Sequence, residues 1–147
     1  MPVLSLQTEY FVPLDAVNDA LRALAPVAAA WPGWTTWDGA NPTTQGPAHI
    51  CELRSIAGDG IWLSPSNGAD AASIHFTLGF YPDIAWQIVK ELEHALAGFG
   101  ARPHWGKLWT KCPIDGYSKA DDFKALRAEL DPKGKFFTPF TARALGL

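Results

Sequence analysis

Apolar and polar residues alternate with a period of two along the first stretch of the chain. From Val3 to Val12, Leu4, Leu6, Thr8 and Tyr10 fall on one side and Ser5, Gln7 and Glu9 on the other, and Pro13 stops the ladder. The period lengthens at Leu14, where Leu14, Val17, Leu21 and Leu24 predict a helix with Asp15 in its first turn. Pro26 is expected to end or kink it. Trp31 to Pro47 reads as a long loop rich in Trp, Pro, Gly and Thr. Strand periodicity returns at His49 to Ala57 and at Ala72 to Tyr81, with Gly58-Asp59-Gly60 and Ser66-Asn67-Gly68 as turn signals between them. Pro82 opens a second helix with the stripe Ile84, Ile88, Leu92 and Leu96, closed by Gly98 and Gly100. Arg102 to Thr110 reads as a fourth extended segment, and Lys119 to Leu130 as a third helix with Phe123, Leu126 and Leu130 on one side. Asp131-Pro132-Lys133-Gly134 ends that helix, and the aromatic tail Phe136 to Phe140 is expected to pack onto the domain.

The order β-α-β-β-α-β predicts an α+β fold: a ferredoxin-like split βαβ antiparallel sheet, helices on one face, and a C-terminal helical extension. Alternation then separates the two faces of the sheet. On the third strand Ile74, Phe76, Leu78 and Phe80 point toward the helices, while His75 and Thr77 point away. On the second strand Cys51, Leu53 and Ser55 share one face, and Ile50, Glu52, Arg54 and Ile56 share the other. With Ser5, Gln7 and Glu9, three strands each offer a polar set to the face without helices. Two readings stay open there. The face is either a solvated sheet surface with ordinary charges, or a polar site at which Glu52 and Arg54, two residues apart, aim at one point.

Length and composition narrow the field. At 147 residues, with 48% hydrophobic and 18% charged residues, the chain suits one soluble globular domain. A net charge of -3 gives no reason to expect nucleic acid or an anionic membrane as partner, and no apolar run reaches the length of a span. A cytoplasmic location is expected. Cys51 and Cys112 make no disulfide framework, and reduced thiols are the simpler reading. His49, His75, His94 and His104 lack metal-ligand spacing with the cysteines, so no metal is expected. No glycine-rich phosphate loop and no nucleophile elbow is present. The other candidate for chemistry is His104-Trp105-Gly106-Lys107, where the glycine suggests a close backbone approach by a neighbour or a ligand.

Gly100-Ala101-Arg102-Pro103-His104-Trp105-Gly106-Lys107 resembles the histidine-tryptophan-x-lysine motif of the D-arabinono-1,4-lactone oxidase and alditol oxidase family, FAD-linked oxidoreductases of the vanillyl-alcohol-oxidase type. The resemblance extends, in family order, through Gln7 to Pro13, Glu52-Leu53-Arg54, Trp62 to Pro65, Ile74-His75-Phe76-Thr77, Asp122-Phe123 and Leu130 to Phe136. It covers nearly the whole chain.

The resemblance implies that residues 1–147 are a single substrate (cap) domain, with the FAD-binding domain absent from this chain. It implies an oxidase of sugar alcohols or aldonolactones, in which hydride passes from a substrate CH-OH to flavin N5 and oxygen is reduced to hydrogen peroxide. Carried over by motif, Lys107 and Arg54 are the catalytic candidates, and Glu52, Arg54, Thr77 and Lys107 the substrate-binding set. His104, Trp105 and His75 stand behind them as supporting residues. FAD would be held by a domain outside the chain. The expected partners are a polyol or aldonolactone, and a separate FAD-binding domain or a second copy of the chain. A flavin-free polyol-binding module and a purely assembling module derived from the same domain are the alternatives.

Overall fold

The computed structural model describes residues 5–31 and 48–147, with His49 described by its backbone alone. The first residues of the opening strand and nearly all of the Trp31 to Pro47 loop therefore lie outside the described residues. Strands β1 (Ser5–Pro13), β2 (Ala48–Ile56), β3 (Ala71–Gly79) and β4 (Arg102–Pro103) form one antiparallel sheet in the order β2-β3-β1-β4. Helix α1 (Val17–Ala29) follows β1, α2 (Pro82–Ala95) follows β3, and α3 (Ala120–Leu130) and α4 (Pro139–Leu145) form the C-terminal extension. The predicted α+β architecture is the one observed.

The two central strands carry the fold. β1 and β3 pair without interruption from Ser5↔Gly79 to Pro13↔Ala71. Their helix-facing residues Tyr10, Val12, Ile74, Phe76 and Leu78 form the core with Ala20 and Leu24 of α1 and Ile88 and Leu92 of α2. Each of the larger side chains contributes about 1.5–3 kcal/mol by leaving water. Trp31 closes one end, its ring edge against Phe76 and its indole N–H donating to Glu91. Between β2 and β3 the Gly58 turn packs so tightly that a Cβ at Gly58 would stand 2.6 Å from the Ala69 carbonyl carbon. Only glycine fits there.

Local expectations fail in instructive ways. Pro26 lies inside α1 and does not end it: the helix runs on to Ala29. On α2 the buried arc consists of Ala85, Ile88, Val89 and Leu92, with Leu96 beyond its end. At 100° per residue Ile84 falls at the margin of that arc and is 43% exposed. Phe80 follows the last residue of β3, so alternation no longer orients it, and it is 52% exposed. The C-terminal aromatic tail does not join the core: Phe136 is 83% exposed and α3 buries no residue. What holds that region is α4, a short helix with no strong apolar period. Thr138 and Thr141 form a capping box at its start, and Ala144 and Leu145 are buried at its end.

The fourth extended segment is ladder only at Arg102–Pro103. It stays against β1 all the same. His104 N donates to Glu9 O at 2.9 Å and Leu108 N to Gln7 O at 2.9 Å. Between these two bonds Trp105 to Lys107 loop outward in a turn closed by Lys107 N donating to His104 O at 3.1 Å.

Candidate functional site

The sheet register brings the polar residues of three strands side by side. Glu9 and Glu52 flank His75 across the ladders, Arg54 lies opposite Ser73, and Thr77 lies between Gln7 and Ile50. Directly opposed residues share a face, so all of these lie away from the core residues Ile74, Phe76 and Leu78. No helix is needed to bury the centre of this face. Glu9, Ser73 and His75 are buried, covered by Arg54, Glu52 and Lys107, and Phe11 stacks on the His104 ring beside them.

Glu9 is the hub. Its Oε1 accepts from Ser73 Oγ at 2.6 Å and from Arg54 Nη1 at 3.5 Å, and its Oε2 accepts from Lys107 Nζ. Lys107 Nζ also lies 2.7 Å from Nδ1 of His75. An ammonium has no lone pair, so the hydrogen-bond network assigns Nδ1 as the acceptor and places the ring proton on Nε2. From there it donates to Thr77 Oγ1 at 3.1 Å. Arg54 reaches the second acid as well, with Nη2 donating to Glu52 Oε2 at 2.5 Å. Arg54 and Glu52 are about half exposed, whereas the Lys107 side chain is 16% exposed.

Burial alone would raise the Glu9 carboxyl. Hydrogen bonds from Lys107 and Ser73, and the charge of Lys107, outweigh it and bring the group down to about 2. Glu9 is thus ionised at neutral pH. His104 is held below the usual imidazole range by its burial and by the nearby Lys107 charge.

The structure brings Glu52, Arg54, Thr77, Lys107 and His75 together. His104 and Trp105 support the turn that carries Lys107. His104 binds both Glu9 O and Lys107 N through its main chain, and its Nδ1 accepts from Gly106 N at 3.0 Å. Trp105 points to the other side, its indole N–H donating to Leu63 O and lying 3.2 Å from the Tyr117 hydroxyl, against whose ring it stacks. The close approach expected at Gly106 is absent among the described residues. A Cβ there would meet only the His104 ring at an ordinary 3.5 Å, so no protein neighbour requires the glycine. Glu9 and Ser73 were missed as site residues. The signal for Glu9 was present: a β-α-β-β-α-β order makes the first strand central, and a mid-strand acid there needs a partner.

Chemically, this is a charge-balanced surface of two carboxylates, a guanidinium and an ammonium, with the hydroxyl of Thr77 beside them. Such a set can donate to and accept from the hydroxyls of a neutral ligand. Among the described residues, no three His, Cys, Asp or Glu side chains gather to hold a metal, and both cysteines are free. α2 and α4 begin at prolines behind Tyr81 and Thr138, and α1 and α3 behind Ala16 and Lys119, so no described helix has the glycine-rich N-terminal turn that cradles a pyrophosphate.

The open antiparallel sheet thus carries a buried acid and two cations on its face opposite the core. The chain belongs to the D-arabinono-1,4-lactone oxidase family, whose model matches residues 2–144. It is 38% identical over 138 residues to an alditol oxidase of Streptomyces sp. (strain IKD472 / FERM P-14339), a match covering 92% of this chain and 30% of that protein. It is 29% identical over 118 residues to a probable L-gulonolactone oxidase 1 of Arabidopsis thaliana, covering 69% of this chain and 20% of the relative. The chain thus spans under a third of the length of these two curated relatives. Oxidases of this family depend on FAD. Among the described residues no helix is long and apolar enough to cross a membrane.

Proposed function

We propose that this chain supplies the substrate-binding face of an FAD-dependent oxidase of sugar alcohols or aldonolactones. The observation that carries the reading is the convergence of Lys107, Arg54, Glu52 and Thr77, from three separate segments, on the one sheet face free of helices. Charge balance favours a neutral, hydroxyl-rich ligand over a sugar acid, because each cation there already has a carboxylate partner. As the carbon gives up its hydride the reacting hydroxyl releases its proton to solvent, and the Lys107 ammonium and Arg54 guanidinium supply positive potential where alkoxide character develops. Glu52 and Thr77 bond further hydroxyls and fix the register of the substrate, and His75, His104 and Trp105 keep these groups in place. A flavin bound by residues other than those described would supply the hydride acceptor and, with oxygen as its oxidant, the route to hydrogen peroxide.

The test is to produce the chain together with the flavin-binding portion of an alditol-oxidase-type protein and to assay peroxide with xylitol, sorbitol and an aldonolactone. Turnover that is lost with Lys107→Met supports the proposal. A flavin-loaded complex that oxidises none of the three contradicts it, and xylitol binding without turnover would point to the flavin-free ligand-binding module.

A further inference from the structure

We propose that Glu9 is the positioning residue of this site, holding Lys107 and Arg54 at a fixed separation without itself touching the ligand. The inference rests on the functional reading above and extends it to a residue outside the motif set. Glu9 acts on the Lys107 turn at two points. Its carbonyl oxygen accepts from His104 N at the start of the turn, and its carboxylate accepts from Lys107 Nζ at the tip. One residue of β1 thereby sets both where the turn leaves the sheet and where its ammonium ends.

The two carboxylate oxygens divide the work. Oε1 faces Ser73 and Arg54, on β3 and β2, and Oε2 faces Lys107 on the other side. A guanidinium and an ammonium brought to one small face repel each other, and the anion between them makes the arrangement stable. With only 6% of its side chain exposed, Glu9 is poorly placed to meet a ligand directly. Its depressed titration, to about 2, agrees with a carboxylate gripped by several donors at once.

Glu9→Gln is the test variant, since the amide keeps an oxygen for Ser73 while removing the charge and replacing the acceptor that faces Lys107 by a donor. In the wild-type chain NMR should show a Lys107 ammonium resonance protected from exchange by Glu9 and His75. In E9Q that resonance is lost, the core amide signals of Ile74 and Val89 stay in place, and xylitol affinity falls by at least about tenfold. Adding Lys107→Met to E9Q lowers affinity no further, because Glu9 acts through Lys107. A protected Lys107 resonance in E9Q, or losses that simply add, overturns the proposal. If the wild-type chain binds no xylitol, the substrate reading fails while the resonance still decides the role of Glu9. Should E9Q not fold, the reciprocal variant serves. The Glu9 carboxyl signal is flat from neutral pH to about 3 in the wild type and titrates in the ordinary carboxylate range in Lys107→Met. A Glu9 carboxyl unmoved by loss of Lys107 contradicts the proposal.

Discussion

Glu9 and Glu93 are buried to nearly the same degree, 5% and 6% exposed, and neighbouring residues of β1 lead to them, yet they are held in opposite ways. On the open face Glu9 meets Lys107 and Arg54, so its partners are mainly cations carried by separate segments. On the helix side the Glu93 carboxylate meets neutral donors, the Tyr10 hydroxyl at 3.2 Å, Thr110 N at 2.7 Å, Lys111 N at 3.3 Å and the Thr110 hydroxyl, while the Lys111 ammonium reaches only its main-chain carbonyl. Glu93 ties α2 to β1 and to the chain that leaves β4, and it contributes to stability by satisfying groups that would otherwise be buried without partners. Burial raises the Tyr10 hydroxyl well above its ordinary range, with the Glu93 charge adding to the shift. Burial of an acid is therefore no guide to function. What separates the two residues is whether the partners carry charge that a ligand could use.

The largest expected effect is on turnover. In the oxidase assembled with its flavin-binding portion, Lys107→Met should lower kcat/KM on the order of 10²–10³-fold. Lys111→Met, beside Glu93, should change it by less than about threefold. Equal losses at both positions would erase the distinction.

Stability against pH comes next. The Glu9 carboxyl is lowered from an ordinary 4.5 to about 2, so its contribution is fully present above the unfolded value and is lost as pH falls through the folded one. Between about pH 5 and pH 2 the wild type should lose more stability than Lys107→Met, measured by urea unfolding across that window. Parallel curves for the two proteins would show that Lys107 does not hold the carboxylate down.

Glu93→Ala should cost about 2 kcal/mol of unfolding free energy by the same measurement, because it strands buried donors at Thr110 and Lys111. Xylitol affinity per folded molecule should be unchanged. The smallest effect belongs to Arg54 and Glu52, whose exposed pair should show a coupling below about 1 kcal/mol in a double-mutant stability cycle. Any larger role for them must therefore be sought in ligand binding.

The difference between the two acids also marks what could be read from residue order. Alternation on three strands placed Glu52, Arg54, His75 and Thr77 on one face, since period-two orientation is a local property of the backbone. Helix–sheet topology was equally legible, because Ile88 and Leu92 recur at helical spacing and Ile74, Phe76 and Leu78 at strand spacing. Glu9 was visible only as one member of a polar set. Its importance depends on which strand is central and on how Lys107 returns to it from 98 residues away. The turn that carries Lys107 was hidden as well, since Arg102 to Thr110 looks uniformly extended until the ladder is seen to skip from His104 to Leu108. At the C-terminus the aromatic residues suggested packing, and it occurs outside the main core: Phe140 lies against the buried Trp109 ring and Phe137 under Arg127, while Phe136 stays exposed. The capping box of Thr138 and Thr141, which starts α4, lacks the usual acidic partner and so gave little warning.

The central claim is that the open face, and not the helix side, receives the ligand. A rival place exists: a cavity of about 620 Å³ bordered by Tyr10, Glu93, Arg102 and Lys111. Titrating the chain with xylitol and following amide shifts by NMR distinguishes the two most directly. The account predicts saturable shifts at Glu52, Arg54, His75, Thr77 and Lys107, with Glu93 and Lys111 unmoved. Shifts centred on Glu93 and Lys111, or none at any concentration, would contradict it.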